Sequence, residues 1–208
     1  MTPEQFEQLE EFRVGAYPII DFWCEAAVEQ HGTGCKIGCD ACCCFVVTVT
    51  LVEALVMLKN ANGLKTVEGN RRSLVDTANM FMLREPETRT VPWAKRKEPC
   101  LFLADGKCSI YDDRPFNCRT HIAVRQCTPG QAGNSYVDSG DITRAGIELC
   151  KQASELVSIP LAFGPMPVML LIAEGFLKAE QSVIEAAYRA TPFLDTLKSL
   201  EFWSYLEL

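Results

Sequence analysis

Eleven cysteines in a chain of 208 residues limit what this sequence can fold into more than any other feature. They are Cys24, Cys35, Cys39, Cys42, Cys43, Cys44, Cys100, Cys108, Cys118, Cys127 and Cys150. An odd count and a run of three consecutive cysteines both argue against a framework of disulfide bonds. In a reducing compartment, metal ligation is the natural use of so many thiols, so the location of the protein matters.

The N-terminal residues predict a cytoplasmic protein. Residues 1–7 are acidic and polar, whereas a secretory signal peptide needs a basic start followed by an apolar stretch. The longest apolar run, residues 159–173, contains three prolines and is too short to cross a bilayer. We therefore expect no membrane partner, and we expect the cysteines to be reduced.

Length and composition predict a single domain with a substantial core, because 48% of the residues are apolar. The formal net charge of -7 argues against non-specific binding of nucleic acid and leaves a protein partner open. Residues 1–30 hold seven acids and one base, and residues 59–119 hold twelve bases and eight acids. The bases are either a solvated face or cations that offset metal-bound thiolates.

Apolar periodicity and capping residues predict helices on both sides of an irregular middle. We expect helices over residues 3–31, 50–60, 73–84, 141–158, 167–190 and 192–206, with a short strand near residues 45–49. Pro18 should kink or split the first helix, Gly32 and Gly34 should end it, and Asn62-Gly63 should stop the second. The predicted fold is mainly α, with helices flanking an irregular cysteine-rich metal-binding centre and at most short strands. The single domain, 1–208, divides into N-terminal helices (1–34), a metal-binding core (35–127) and C-terminal helices (128–208).

The first cysteine cluster, residues 35–44, contains a chelating turn. In Cys39-x-x-Cys42 the two intervening residues let both sulfurs point at one ion, and Gly38 supplies backbone freedom. Adjacent residues diverge in both extended and helical backbone, so Cys42 and Cys43 do not both face one tetrahedral ion. Either two centres lie side by side, or one of this pair is a packed or reactive thiol.

The second cluster, residues 100–119, predicts a hairpin. Asp105-Gly106 is a tight-turn pair between two apolar runs, and it would bring Cys100 close to Cys108. A second turn, at Arg114-Pro115, can present Cys118 to the same site. The predicted metal ligands are Cys35, Cys39, Cys42, Cys43, Cys100, Cys108, Cys118 and Cys127; no catalytic residue is predicted.

Several other side chains are interpreted as structural or stay undecided. Cys24 is interpreted as a packed thiol, while Cys44 and Cys150 stay open between packing and ligation. His121 could complete a Cys3His site, although a hydrogen bond to a sulfur is the simpler role. Glu53 is explained as the partner of Thr50 in a capping box. Arg114 and Arg119 either donate to loop carbonyls and thiolates or form ordinary salt bridges.

Together the motifs resemble a known family. They are Cys39-x-x-Cys42-Cys43, Val49-Thr50-x-x-Glu53, Cys100-x-Phe102-Leu103 and the stretch from Gly106 to Arg119, which contains CSIYxxRPxxCR. This pattern is similar to the YkgJ-type cysteine cluster family, described as a zinc- or iron-chelating domain, and covers roughly residues 35–125. The resemblance implies a zinc or iron–sulfur cofactor. Flagellin lysine N-methylase resembles the same family, and this relative implies that an iron–sulfur centre could serve in methyl transfer.

Two functions therefore stand as hypotheses. The first is a metal-binding protein with a cysteine-ligated zinc or iron–sulfur centre in a structural or carrier role. The second is an iron–sulfur enzyme for redox or group transfer. Cys35-x-x-x-Cys39-x-x-Cys42 also matches the spacing of radical S-adenosylmethionine enzymes, but the chain lacks the alternating strands and helices of their barrel.

Overall fold

The structure is a computed structural model, and it describes residues 1–32, 35, 38–45, 47–82, 99–124, 127, 137 and 139–179. Within these residues the protein is mainly helical, with two small two-stranded sheets. The predicted fold class is thus confirmed.

Helix α1, Pro3–His31, is one continuous element. Thr2 and Gln5 form a capping box at its start, and Gly32 ends it in the left-handed conformation (φ 60°). Of the kink or split predicted at Pro18, the split is wrong, because α1 continues through Pro18 and the expected N-terminal helices are one helix. Pro18 lies on the exposed side of α1, where water can replace the backbone hydrogen bond that proline removes.

Strand β1, Thr48–Thr50, leads into helix α2, Leu51–Lys59. The predicted capping box is confirmed, because the Thr50 side chain accepts from the backbone N–H of Glu53 and the Glu53 side chain accepts from that of Thr50. Helix α3, Ala61–Gly69, begins where a stop at Asn62-Gly63 was expected. A side chain on Gly63 would begin 1.8 Å from the carbonyl oxygen of Met57, so glycine here permits a close approach of backbones.

Helix α4, Arg71–Met82, begins two residues before the predicted start. The hairpin of β2, Leu103–Ala104, and β3, Lys107–Cys108, is confirmed. Asp105 (φ 51°) and Gly106 (φ 72°) form its turn with positive φ at both positions, as tight hairpins require. A 3₁₀ turn, Tyr111–Asp113, and the short helix α5, Phe116–Arg119, follow.

Helix α6, Gly140–Leu156, strand β4, Phe163–Pro165, and helix α7, Met166–Leu177, complete the described chain. Strands β1 and β4 pair antiparallel, with Val49 opposite Gly164. The predicted helix over 167–190 is observed as far as Leu177. Residues 180–190 and the predicted helix 192–206 lie outside the described residues.

The core forms around α2, whose residues Leu51–Leu58 are all buried. A helix that is apolar on every side belongs in the centre of a fold, and α2 packs against α7, α6 and α1. A second apolar cluster joins α1 to α5 and α6 through Ala16, Ile20 and Phe116. No helix in the described ranges is long and apolar enough to cross a membrane.

Candidate metal centre

The first cysteine cluster folds as two overlapping turns. The backbone N–H of Cys43 donates to Asp40 O (2.9 Å), and that of Phe45 donates to Cys42 O (3.0 Å). Gly38 has a φ of +86°, which glycine adopts without strain. The expected divergence of Cys42 and Cys43 is not observed, because their side chains lie within hydrogen-bonding distance of each other.

A backbone hydrogen bond joins the two clusters. The N–H of Cys100 donates to Cys43 O at 2.6 Å, although 57 residues separate the two positions. In the hairpin Leu103 lies opposite Cys108, and the N–H of Ser109 donates to Phe102 O at 2.8 Å. The predicted convergence of the two clusters is therefore present in the backbone itself.

Helix α5 carries the third cysteine of the second cluster and is anchored to the start of α2. Oε1 of Glu53 accepts from the N–H of Phe116 at 2.7 Å, and Asn117 Nδ2 donates to Thr48 O at 2.6 Å. Glu53 is buried, which raises the pKa of its carboxyl, while the N–H donors of Thr50 and Phe116 oppose the shift. These bonds place Cys118 relative to a rigid part of the core.

Five thiols lie close enough to influence one another electrostatically, and we call them the thiol group: Cys42, Cys43, Cys100, Cys108 and Cys118. Burial raises the pKa of Cys118, and the sulfurs of Cys100, Cys42 and Cys108 raise it further. Burial likewise raises the pKa of Cys100 to about 11. Thiolates in such surroundings need a compensating cation.

Backbone amides support the thiolate form at two of these positions. The N–H of Phe102 bonds to the sulfur of Cys100, and the N–H of Ile110 bonds to that of Cys108. Each bond lowers the pKa of its cysteine, against the larger effect of burial. In both cases the N–H donor lies two residues after the cysteine. Such hydrogen bonds stabilise a negatively charged sulfur, as in a metal-bound thiolate.

Two arginines approach the thiol group. Arg114 is the nearer cation: it lowers the pKa of Cys42, Cys108 and Cys118. Arg119 is 3% exposed; its guanidinium bonds to the carbonyls of Arg114 and Asp112 and to the carboxylate of Asp21. The predicted bonds to loop carbonyls are confirmed for Arg119, and they hold the loop before α5 in place.

The thiols converge without forming a finished ligand shell. Cys42 and Cys43 hydrogen-bond to each other through their sulfurs, which raises the pKa of Cys42. Among the described residues, no three Cys, His, Asp or Glu side chains stand in an arrangement that could hold a metal ion. The donor types and their backbone hydrogen bonds fit a thiolate-bound metal, whereas the sulfur positions would have to adjust around it.

The other predicted ligands are Cys35, Cys39 and Cys127. Cys39 is exposed, Cys35 is partly buried beside the second apolar cluster, and Cys127 is partly buried. Five of the eight predicted ligands belong to the thiol group.

The remaining cysteines and His121 contact other protein groups. Cys24 is buried and its thiol donates to Arg119 O at 3.2 Å. Cys150 is fully buried, 3.4 Å from Thr50 Oγ1, and Cys44 lies 3.7 Å from Ala41 O. The ring of His121 packs edge-on against Phe45, and burial lowers the pKa of its imidazole.

Sequence reasoning missed the supports of the site. No local pattern marks Asn117 and Thr48 as partners, although Asn117 lies inside the CSIYxxRPxxCR string and Thr48 begins the strand before the capping box. Asp21, on α1, had no local signal at all, because its partner Arg119 is 98 residues away.

No family model, curated protein or solved structure matches this chain.

Proposed function

We propose that this protein binds zinc or an iron–sulfur centre through its thiol group and acts as a structural or carrier protein for that metal. Cys100, Cys108 and Cys118 would hold the metal, with Cys42 or Cys43 as the fourth ligand. The proposal rests chiefly on the bond from Cys100 N–H to Cys43 O, which brings thiols from two distant segments to one place. The resemblance to the YkgJ-type family supports the same proposal, and a cytoplasmic location would keep the thiols reduced.

A structural or carrier role is favoured over the iron–sulfur enzyme. A catalytic centre needs an open coordination position beside a pocket. The thiol group offers four thiolates to one ion, as many as a closed tetrahedral shell requires. A closed shell of four thiolates needs no such pocket.

The test is anaerobic purification followed by metal analysis and a visible spectrum. Stoichiometric zinc in a colourless protein, or iron with absorption near 400 nm, would support the proposal and identify the metal. Cys108→Ser and Cys118→Ser should lose metal. Cys24→Ser is the matched control, because serine can still donate to Arg119 O. A folded, metal-free native protein, or thiols joined as disulfides, would overturn the proposal.

A further inference from the structure

The outer face of α1 exposes large apolar side chains. Val14 is 56% exposed, Ile19 is 59% exposed and Phe22 is 75% exposed. Scattered apolar residues are ordinary on protein surfaces, whereas a contiguous patch commonly marks an interaction site. The arrangement of these side chains along the helix is therefore informative.

Helical geometry places these residues in one band. Positions four apart in an α-helix share a face, as do positions three apart. We call this band the outer stripe; its residues, all exposed, are Val14, Gly15, Pro18, Ile19, Phe22 and Ala26. At Gly15 no atom lies within 4 Å of the point where a side chain would begin, so a partner could approach the helix backbone closely there.

Both ends of the outer stripe are acidic. Glu7 and Glu11 precede it and Glu25 and Glu29 follow it on the same face, and all four are exposed. Arg13, the only arginine or lysine of α1, pairs with Glu10 and Asp113 beside the stripe and does not offset these charges. The surface is thus apolar in the middle and negative at each end.

A depression runs along one edge of the stripe. Val14 and Pro18 line a cleft of about 300 Å³ whose other walls are Arg13, Tyr17, Asp21 and Asp112. A protruding side chain of a partner could enter it.

We propose that the outer stripe is a docking surface for a helix of another protein, apolar in its middle and bearing Lys or Arg at both ends. Glu11 and Glu25 are separated by about 21 Å along the helix axis, at about 1.5 Å per residue. A partner helix of about 15 residues would therefore match both the apolar stretch and the charges. The inference is independent of the metal centre.

The acidic ends of the outer stripe argue against two other occupants, a second copy of this chain and an anionic membrane. In an antiparallel pair of two copies centred on Pro18, Glu11 would face Glu25 and Glu7 would face Glu29. In a parallel pair each glutamate would face its own copy, and like charges at such positions are destabilising. An anionic membrane surface would repel the same four glutamates.

A display experiment tests the proposal. A library of random 15-residue peptides is selected on the wild-type protein and counter-selected on Phe22→Ser. We expect enriched peptides to carry an amphipathic apolar pattern with Lys or Arg at both ends. The affinity of such a peptide should fall at least tenfold on Phe22→Ser and should weaken as salt is raised.

Charge exchange provides a sharper readout. The double variant Glu11→Lys/Glu25→Lys should bind the selected peptide weakly, and a peptide with glutamate in place of its terminal bases should restore binding. Leu156→Ser on α6 is the matched control, because Leu156 is 55% exposed and lies outside the stripe. It should leave peptide binding unchanged.

Four results would overturn the proposal. They are the absence of enriched peptides, peptides without flanking bases, Phe22-dependent dimers in sedimentation, and Phe22-dependent binding to anionic vesicles. Phe22→Ser should also shift the thermal midpoint by no more than about 2 °C, as for other exposed positions. A larger loss would mean that the chain itself covers the stripe, and it would be a fifth result against the proposal.

Discussion

Glu53 and Phe116 are joined by a 2.7 Å hydrogen bond from the Phe116 backbone N–H to Glu53 Oε1. The other carboxylate oxygen of Glu53 accepts from the N–H and the hydroxyl of Thr50, at 2.8 and 2.9 Å. One buried carboxylate therefore connects the start of α2 to the start of α5, two residues before Cys118.

Replacing Glu53 with Gln should disturb the metal centre as well as the fold. Gln has one acceptor oxygen, so its amide nitrogen would face either Phe116 N–H or Thr50 N–H, donor against donor. We expect a loss of about 1–3 kcal/mol in the free energy of unfolding. We also expect about 10–100-fold weaker metal binding, as for other residues that orient ligands.

The cobalt affinity of each protein is measured by titrating it with Co²⁺ under argon. The thiolate-to-cobalt absorption band reports binding, at a temperature where the variant is folded. Thr50→Ser keeps the hydroxyl and is the control. Wild-type cobalt affinity in a folded Glu53→Gln protein would show that Glu53 does not position Cys118.

The same glycine-to-alanine change should have opposite effects at two positions. Gly15→Ala should raise the free energy of unfolding by about 0.5–1 kcal/mol, because alanine costs less entropy in a helix and the space is open. Gly63→Ala should lower it, because the new carbon would lie 1.8 Å from Met57 O. Urea unfolding of both variants measures these changes. If both substitutions changed the free energy of unfolding in the same direction, the described packing would be contradicted.

The contribution of Glu10 to the free energy of unfolding should depend on pH. Hydrogen bonds from Arg13 and Lys59 lower the pKa of Glu10 to about 2 from an ordinary value of 4.5. A lowered carboxyl pKa stabilises the fold above the unfolded pKa, and this stability is lost as the pH falls from about 4.5 towards 2. Glu10 is 38% exposed, so we expect no more than about 1 kcal/mol.

Unfolding measured between pH 7 and pH 3 should show this contribution as a difference between wild type and Glu10→Gln. The variant should be less stable at neutral pH and should approach the wild type in acid. A constant difference across the range would mean that the pairing with Arg13 and Lys59 contributes nothing.

Metal removal should expose the thiol group while leaving the core cysteines protected. After chelation we expect Cys100, Cys108 and Cys118 to react with a thiol reagent in the native buffer, and the thermal midpoint to fall. Cys24 (6% exposed) and Cys150 (0% exposed) should react only on unfolding. Mass spectrometry of the labelled peptides identifies the sites. Labelling of Cys150 as fast as Cys118 would contradict its burial.

Local chemistry made several elements predictable. The capping box at Thr50 and Glu53 and the turn at Asp105-Gly106 depend on residues close in sequence, and both occur as expected. The split expected at Pro18 is absent, and Gly63 lies inside α3 although α2 ends at Lys59, because the effect of proline and glycine depends on their surroundings. Water is available at an exposed proline, and Gly63 is needed because the Met57 carbonyl approaches it closely.

The sequence by itself determined the helical character of the chain, the capping box at Thr50 and the hairpin that brings Cys100 close to Cys108, because caps, turns and spacing act over a few residues. Only the tertiary structure decided that Glu53 anchors α5, that Cys150 belongs to the core, and that Cys39 is exposed. These outcomes depend on contacts between segments 60 to 100 residues apart, such as Glu53 with Phe116 and Thr50 with Cys150. Such contacts follow from how whole helices pack, which no local pattern encodes.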